Sequence, residues 1–211
     1  YEYELEDFPA TVVTAGATAD VVATLRHSVD TVGEMCADYH IHTTRSPDSE
    51  DDGSLKVAAL VADGLEIAIR SEHEYVYDFA DVVTALGVGD WALGISGEEL
   101  TTFEWGHFNL FPMTVDEAMP SGSAIPWVGR LPPDAFADAR ARPESPTLII
   151  NQPRSAGPGF GYFIAAGYDP LTGVLTPASR VYAIVHVMSA EVEAAAGLAA
   201  GLSFHFVLNN V

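Results

Sequence analysis

The spacing of hydrophobic and polar positions changes at about residue 34 of the 211-residue chain. Before that point, valine pairs at 12–13 and 21–22 flank Gly16, a pattern that predicts two short strands, the tail of a preceding β-domain. After it, runs of alternating apolar residues are followed by runs with helical spacing. We therefore divide the chain into a β segment over residues 1–33 and an α/β domain over residues 34–211.

The first half of the domain alternates strands with helices. Residues 36–41 predict a buried strand, and a helix of about ten residues is predicted from Ser54. Residues 65–69 alternate apolar and polar side chains as a second strand would. Residues 79–86 place apolar side chains at helical spacing, and Gly87 ends that helix.

The second half continues with strands around a long proline- and glycine-rich segment. Further strands are predicted over residues 91–96, 108–111, 147–150 and 181–188, with an alanine-rich helix over 190–202. Residues 112–133 are too long for an ordinary connection, and such loops are often lids or binding loops. Repeated strand–helix units predict a parallel sheet, in which ligands gather at the carboxyl ends of the strands.

Side chains of the metal-ligand type fall where predicted strands end. His40 and His42 end the first strand, His73 follows the second, and Glu99 closely follows the next. Because side chains alternate along a strand, His-x-His points both imidazoles the same way. Asp48 lies in an acidic loop that could fold back over this pair. Imidazole and carboxylate ligands together suit Zn²⁺, Fe or Mn²⁺, so the pattern predicts a metal site.

Two blocks of sequence now suggest a family. Asp-Tyr-His-Ile-His-Thr at residues 38–43, followed by Ser-Pro-Asp-Ser at 46–49, resembles the first motif of the polymerase-and-histidinol-phosphatase (PHP) superfamily. Ser-Glu-His at residues 71–73 resembles its Thr-Asp-His motif, with two conservative changes.

Three further blocks resemble the carbaryl-hydrolase-like branch of that superfamily. Gly-Glu-Glu at residues 97–99 and Gly-His-Phe-Asn-Leu-Phe-Pro at 106–112 are similar to its most specific signature. Asn-Gln-Pro-Arg at residues 151–154 resembles its Asn-His-Pro-Arg. The resemblance covers about residues 30–210 of the chain.

The resemblance implies a fold and a set of metal ligands. The fold is a distorted seven-stranded β/α barrel, of the general TIM-like kind. By carry-over, the ligands are His40, His42 and Glu99 for a first ion, Asp48, His73 and a bridging Glu99 for a second, and His107 for a third.

The resemblance also implies a metal-dependent hydrolase. In that family a hydroxide that bridges the metals attacks a phosphoester, ester, carbamate or amide. No separate catalytic side chain is assigned. Gln152 and Arg154 are the expected substrate-binding residues, since the guanidinium could bind an anionic substrate oxygen.

Two departures from the family pattern leave alternatives open. Gln152 stands where the family carries a histidine, and the family's closing Asp-x-His does not follow residues 207–211. The third ion therefore keeps only His107, and one or two ions are expected. The alternatives to a hydrolase are a degenerate PHP domain that binds metal or ligand without catalysis and a purely structural domain.

Charge and hydropathy narrow the expected partners. The chain has 30 acidic and 9 basic residues, a net charge of −21 that repels nucleic acid and anionic lipid. No apolar run approaches the roughly 18 residues that cross a bilayer, and residues 1–7 lack the features of a signal peptide. A soluble domain with a small-molecule substrate is expected. The substrate, compartment and oligomeric state stay open.

Overall fold

The computed structural model describes residues 3–4, 7–151, 162, 168–169 and 174–175. The chain divides into two compact units, Tyr1–Arg70 with Asp78–Ser96, and Ser71–Tyr77 with Gly97–Val211. The first unit holds a three-stranded parallel sheet, and the second holds a three-stranded antiparallel sheet. The fold is therefore mixed α/β, as expected.

The first unit is a small parallel α/β arrangement. Its strands run in the order β1, β2, β3, and a helix lies in each crossover; the elements are β1 (Ala37–Ile41), α1 (Gly53–Ala62), β2 (Ile67–Arg70), α2 (Ala80–Leu86) and β3 (Leu93–Ser96). Asp52 caps α1 by accepting a hydrogen bond from the Leu55 N–H at 2.9 Å. Gly87 ends α2 in the left-handed conformation, with φ of 67°.

The helices pack on this sheet through a single apolar cluster. Strands, helices and connecting segments all contribute side chains to this cluster, which consists of Ile41, Val57, Leu60, Ala68, Phe79, Val83 and Ala92. Gly94 in β3 lies so close to Phe79 that a Cβ atom there would be 2.8 Å from the Phe79 Cβ. The close approach of the Phe79 backbone and Cβ explains why a glycine occupies this strand position.

The second unit is built on antiparallel pairing. Its strands run in the order β4, β5, β6, and the elements are β4 (Glu98–Thr102), β5 (Gly106–Phe111), a 3-10 helix (Pro120–Ser123), α3 (Pro132–Ala141), β6 (Thr147–Ile150), β7 (Tyr168–Asp169) and β8 (Val174–Leu175). Phe108 on β5 meets Phe136 of α3 edge-on, with ring centroids 4.9 Å apart. Leu100 and Leu110 lie in the same buried cluster, so one face of this sheet packs on α3.

The predicted helices and strands of the first unit are confirmed, as is the strand at 147–150. The prediction of a parallel sheet throughout is wrong for β4, β5 and β6. Only Phe103–Trp105 join β4 to β5, whereas a parallel crossover needs about a dozen residues. The pairing is therefore a hairpin.

Two other parts of the chain differ from expectation. In the described part of residues 1–33, Tyr3 and His27 form an isolated antiparallel bridge in place of the two predicted strands. Side chains such as Val12 and Val22 are exposed there, so no apolar face drives strand pairing. The sequence pattern does not predict helix α3, because the prolines that begin it are also typical of a loop.

The barrel that the resemblance implies and two elements predicted near the end of the chain go beyond the described residues. The strands and sheets that the structure describes do not close into a barrel. The strand predicted over 181–188 and the helix over 190–202 lie outside them. None of the helices among the described residues is long and apolar enough to cross a membrane.

Candidate metal centre

In the first unit, the imidazoles of His40 and His42 converge as the His-x-His pattern predicts. Their Nε2 atoms are 2.8 Å apart. His40 lies at a register shift of β1, where the pairing jumps from Asp38 to Ile41, and its N–H is held by the Asp38 carboxylate at 3.0 Å. Such a bulge re-aims a side chain near a functional site. Two nitrogens bound to one tetrahedral Zn²⁺ are about 3.3 Å apart. A small increase in the distance between the two Nε2 atoms would therefore let both bind one ion.

The loop after β1 folds back on His42, as predicted. Ser46 Oγ lies 3.1 Å from His42 Nδ1, and the Ser49 hydroxyl donates to the His42 carbonyl at 3.2 Å. A partner on Nδ1 orients the ring and leaves Nε2 for a metal. Asp48 lies in this loop, in a turn, and is exposed.

In the second unit, strand register collects polar side chains on one face of the antiparallel sheet. Glu99 pairs with Asn109, and Thr101 pairs with His107, so the alternation puts all four on the same side. Asn151 joins them because its N–H donates to the His107 carbonyl at 2.9 Å, directly after β6. The opposite face carries the apolar core residues Leu100, Phe108 and Leu110.

The Glu99 carboxylate is the centre of this polar face. It is 1% exposed. His73 Nδ1 lies 2.9 Å from Oε2, and His107 Nδ1 lies 3.2 Å from Oε1. His73 reaches it through an isolated parallel bridge with Glu99. The residues predicted as ligands in this unit, His73, Glu99 and His107, are therefore brought together.

Two asparagines to which the sequence pattern assigns no role also lie beside Glu99. The amide of Asn151 donates to Glu99 Oε1 and to Asn109 Oδ1, both at 2.7 Å. Both residues belong to blocks that carry the family resemblance, at residues 106–112 and 151–154. Their place in these two blocks is the signal in the sequence that points to a functional role for Asn109 and Asn151.

Glu98 and Glu99 lie on opposite faces of β4. Both oxygens of Glu98 face the Ile125 N–H, at 3.0 and 3.2 Å. Burial raises the pKa of Glu98 to about 8, against the opposing effect of this backbone N–H. Glu98 is thus buried on the apolar face of the β4–β6 sheet, whereas Glu99 lies on the polar face together with His107.

A further half-buried carboxylate, Glu74, contacts Thr101, the residue whose hydroxyl lies 2.5 Å from His73 Nδ1. It accepts a hydrogen bond from the Thr101 N–H at 2.5 Å and another from Trp127 Nε1. Burial raises the pKa of Glu74, and these two hydrogen bonds oppose the shift. Sequence reasoning missed Glu74, whose contacts with β4 and the 112–133 loop are not local.

The donor chemistry fits a divalent metal ion. Each unit supplies donor groups of the kinds that bind such an ion: His40, His42 and Asp48 in the first unit, and His73 and Glu99 in the second. Nitrogen and carboxylate oxygen donors of this kind serve Zn²⁺, Mn²⁺ and Fe alike, so they do not select between these metals. Gln152 and Arg154, the expected substrate-binding residues, lie outside the described residues.

Comparison of the chain with models of known protein families, with curated proteins and with solved structures gives no match.

Proposed function

We propose that the chain is a metal-dependent hydrolase of the PHP superfamily, acting on a phosphoester or on an ester, carbamate or amide. The observation that carries the proposal is the pair of histidine clusters. His40 and His42 aim their Nε2 atoms at each other. His73 and His107 both reach the buried carboxylate of Glu99. Imidazoles gathered around a buried carboxylate are the donor set that such enzymes use.

The proposed ligands follow the family motif. His40, His42 and Glu99 would hold a first ion, while Asp48, His73 and Glu99 would hold a second. His107 would belong to a third site, for which Gln152 replaces an expected histidine, so one or two ions are proposed. The seven-stranded barrel that the family resemblance implies also belongs to this proposal.

The metal and the protein have separate tasks in this proposal. When bound, a divalent ion supplies a nucleophile by lowering the pKa of its water to about 7. The chain holds the ligands: Asn151 fixes Oε1 of Glu99, and Ser46 orients the ring of His42. Arg154 would bind an anionic oxygen of the substrate.

A degenerate domain is the second candidate, and one residue favours it. Gln152 replaces the histidine of the family's Asn-His-Pro-Arg block. An amide is a weaker ligand than an imidazole for these ions. In this case the clusters would bind metal or a ligand without turnover.

Turnover separates the two candidates. The untagged protein would be assayed on p-nitrophenyl phosphate and p-nitrophenyl acetate with Mn²⁺ or Zn²⁺ added. The test variant carries His40→Ala and His42→Ala, and the matched control is His27→Ala, which removes an imidazole that contacts Tyr3. Metal-dependent turnover that only the double variant loses supports the hydrolase. Metal binding without turnover favours the degenerate domain, and no metal binding contradicts the hydrolase.

A further inference from the structure

Three hydrogen bonds join the long loop after β5 to β4 and to the segment that follows His73. Ser121 O accepts the Val76 N–H at 3.0 Å, and the Ile125 N–H donates to Glu98 at 3.0 Å. Trp127 Nε1 donates to the carboxylate of Glu74. Two of the fastened residues, Val76 and Glu74, lie in the segment that carries His73. The loop therefore braces that segment.

Glu74 connects this brace to the metal ligands. It has φ of 57°, the left-handed conformation that a residue with a side chain adopts only when its surroundings hold it there. Its N–H donates to the Glu99 carbonyl at 3.0 Å. Its carboxylate accepts from the Thr101 N–H and from Trp127, so backbone and side chain are both tied to neighbouring elements.

Thr101 passes this order to His73. The Thr101 hydroxyl has one hydrogen, which it donates to the Glu99 carbonyl at 3.2 Å. The same oxygen lies 2.5 Å from His73 Nδ1, so it must accept a hydrogen from that nitrogen. The Glu99 carboxylate acts in the same direction, because its Oε2 lies 2.9 Å from His73 Nδ1 and its negative charge favours a hydrogen on that nitrogen. A hydrogen on Nδ1 leaves the lone pair on Nε2.

We infer that Glu74 is a positioning residue for the metal centre, through which Trp127 and the long loop hold His73 as the Nδ1–H tautomer with Nε2 ready to bind a metal. This inference rests on the proposed function for the identity of the ligand. Glu74 does not touch the reacting atoms, since its carboxylate is directed at two N–H donors. Its effect on the centre is carried by Thr101.

Two substitutions break the link at different places. Glu74→Gln replaces one acceptor oxygen by an N–H₂ group, which cannot accept from either donor. Trp127→Phe removes the indole N–H and keeps an aromatic ring in place. Phe103→Leu is the matched control, because Phe103 is 81% exposed and touches the Trp127 ring edge-on without taking part in the hydrogen bond.

The first readout needs no metal. In metal-free protein labelled with ¹⁵N-histidine, long-range ¹H–¹⁵N spectra report the tautomer of each ring, and His73→Gln assigns the signal. We expect the wild type and Phe103→Leu to show the Nδ1–H tautomer at His73. Glu74→Gln and Trp127→Phe are expected to show a mixture of tautomers. An unchanged tautomer in both variants would overturn the inference, even if the unfolding midpoint falls.

The second readout is metal affinity, measured by titration with Zn²⁺. Loss of a group that orients a metal-ligating histidine weakens binding by about 10- to 100-fold, and we expect at least the lower figure for Glu74→Gln and Trp127→Phe. The double variant should be no weaker than Glu74→Gln, because both changes break one link. If the wild type binds no metal, the proposed function fails, while the tautomer experiment still decides the role of Glu74.

Discussion

At the scale of single residues, the Asn151 amide determines how the buried Glu99 carboxylate is held. Its two hydrogens go to Glu99 Oε1 and Asn109 Oδ1, each at 2.7 Å. Only an amide of this shape can donate to both acceptors. An aspartate in its place has the same size, but its carboxylate oxygen cannot donate a hydrogen bond and would face the oxygens of Glu99 and Asn109.

We therefore predict that Asn151→Asp weakens metal binding by about 10- to 100-fold, the usual cost of losing a group that orients a ligand. The reason is that the new carboxylate repels Glu99 and releases it from its position. Isothermal titration with Mn²⁺ measures the change. An affinity equal to that of the wild type would contradict the assigned role.

Glu144 gives a prediction about acid stability at the same scale. The Thr114 hydroxyl and N–H both donate to its carboxylate, and this hydrogen bonding lowers its pKa from 4.5 to about 2. Because the folded pKa is depressed, this stabilisation is complete above pH 4.5 and is lost as the pH falls toward 2.

The variant Glu144→Gln should consequently be less stable than the wild type at neutral pH. The difference between the two should shrink as the pH falls from 4.5 to about 2. Urea unfolding at a series of pH values measures this difference. A gap that stays constant through that window would show that the carboxylate charge contributes nothing.

At the scale of elements, successive side chains of β5 point alternately to the apolar core and to the polar face that carries the candidate metal ligands. Phe108 is fully buried against α3, whereas the neighbouring His107 faces Glu99. Fold stability and metal binding should therefore respond to adjacent positions differently.

Replacing Phe108 by Ala should lower the free energy of unfolding by about 3–5 kcal/mol, the usual cost of deleting a buried aromatic ring. His107→Ala should cost less stability but should reduce metal affinity, since it removes a partner of Glu99. Chemical unfolding and metal titration of both variants measure the two effects. Equal losses of stability would contradict the division between the two faces.

Local patterns predicted the elements of the first unit because each is specified by its own periodicity. Residues 79–86, for example, place apolar side chains on one helix face, and α2 forms there. The strand β4 reads Glu-Glu-Leu-Thr-Thr and has no such signal. It forms because β5 pairs with it, and that non-local pairing is not visible in a short window.

The candidate site was predictable to the same degree. His40, His42, His73, Glu99 and His107 were found because ligand-type residues fell at strand ends and in family blocks. Asn151, Thr101 and Glu74 were assigned no role, because their roles depend on strand register and on the path of the long loop. Common polar residues carry no signal of their own in the sequence.

At the scale of the whole molecule, net charge bears on the metal centre. The value of −21 concentrates cations near the surface, and salt screens that attraction over about 8 Å at physiological ionic strength. Weak surface binding of metal should therefore fall with added salt, whereas binding by the buried Glu99 cluster should persist. Metal measurements on this protein belong at physiological salt.

The most direct test of the account uses the two adjacent glutamates of β4. Metal content per chain would be measured by mass spectrometry, at physiological salt, for the wild type, Glu99→Gln and Glu98→Gln. Glu98→Gln is a matched control, because the pKa of about 8 keeps the Glu98 carboxyl of the wild type mostly neutral at pH 7. Glutamine is neutral as well. Its oxygen can still accept from the Ile125 N–H.

We expect about one or two divalent ions per chain for the wild type and for Glu98→Gln, with loss of metal in Glu99→Gln. Glu99→Gln protein that keeps the wild-type metal content, or a wild type that holds none, would contradict the central claim that Glu99 is the shared ligand of a metal centre.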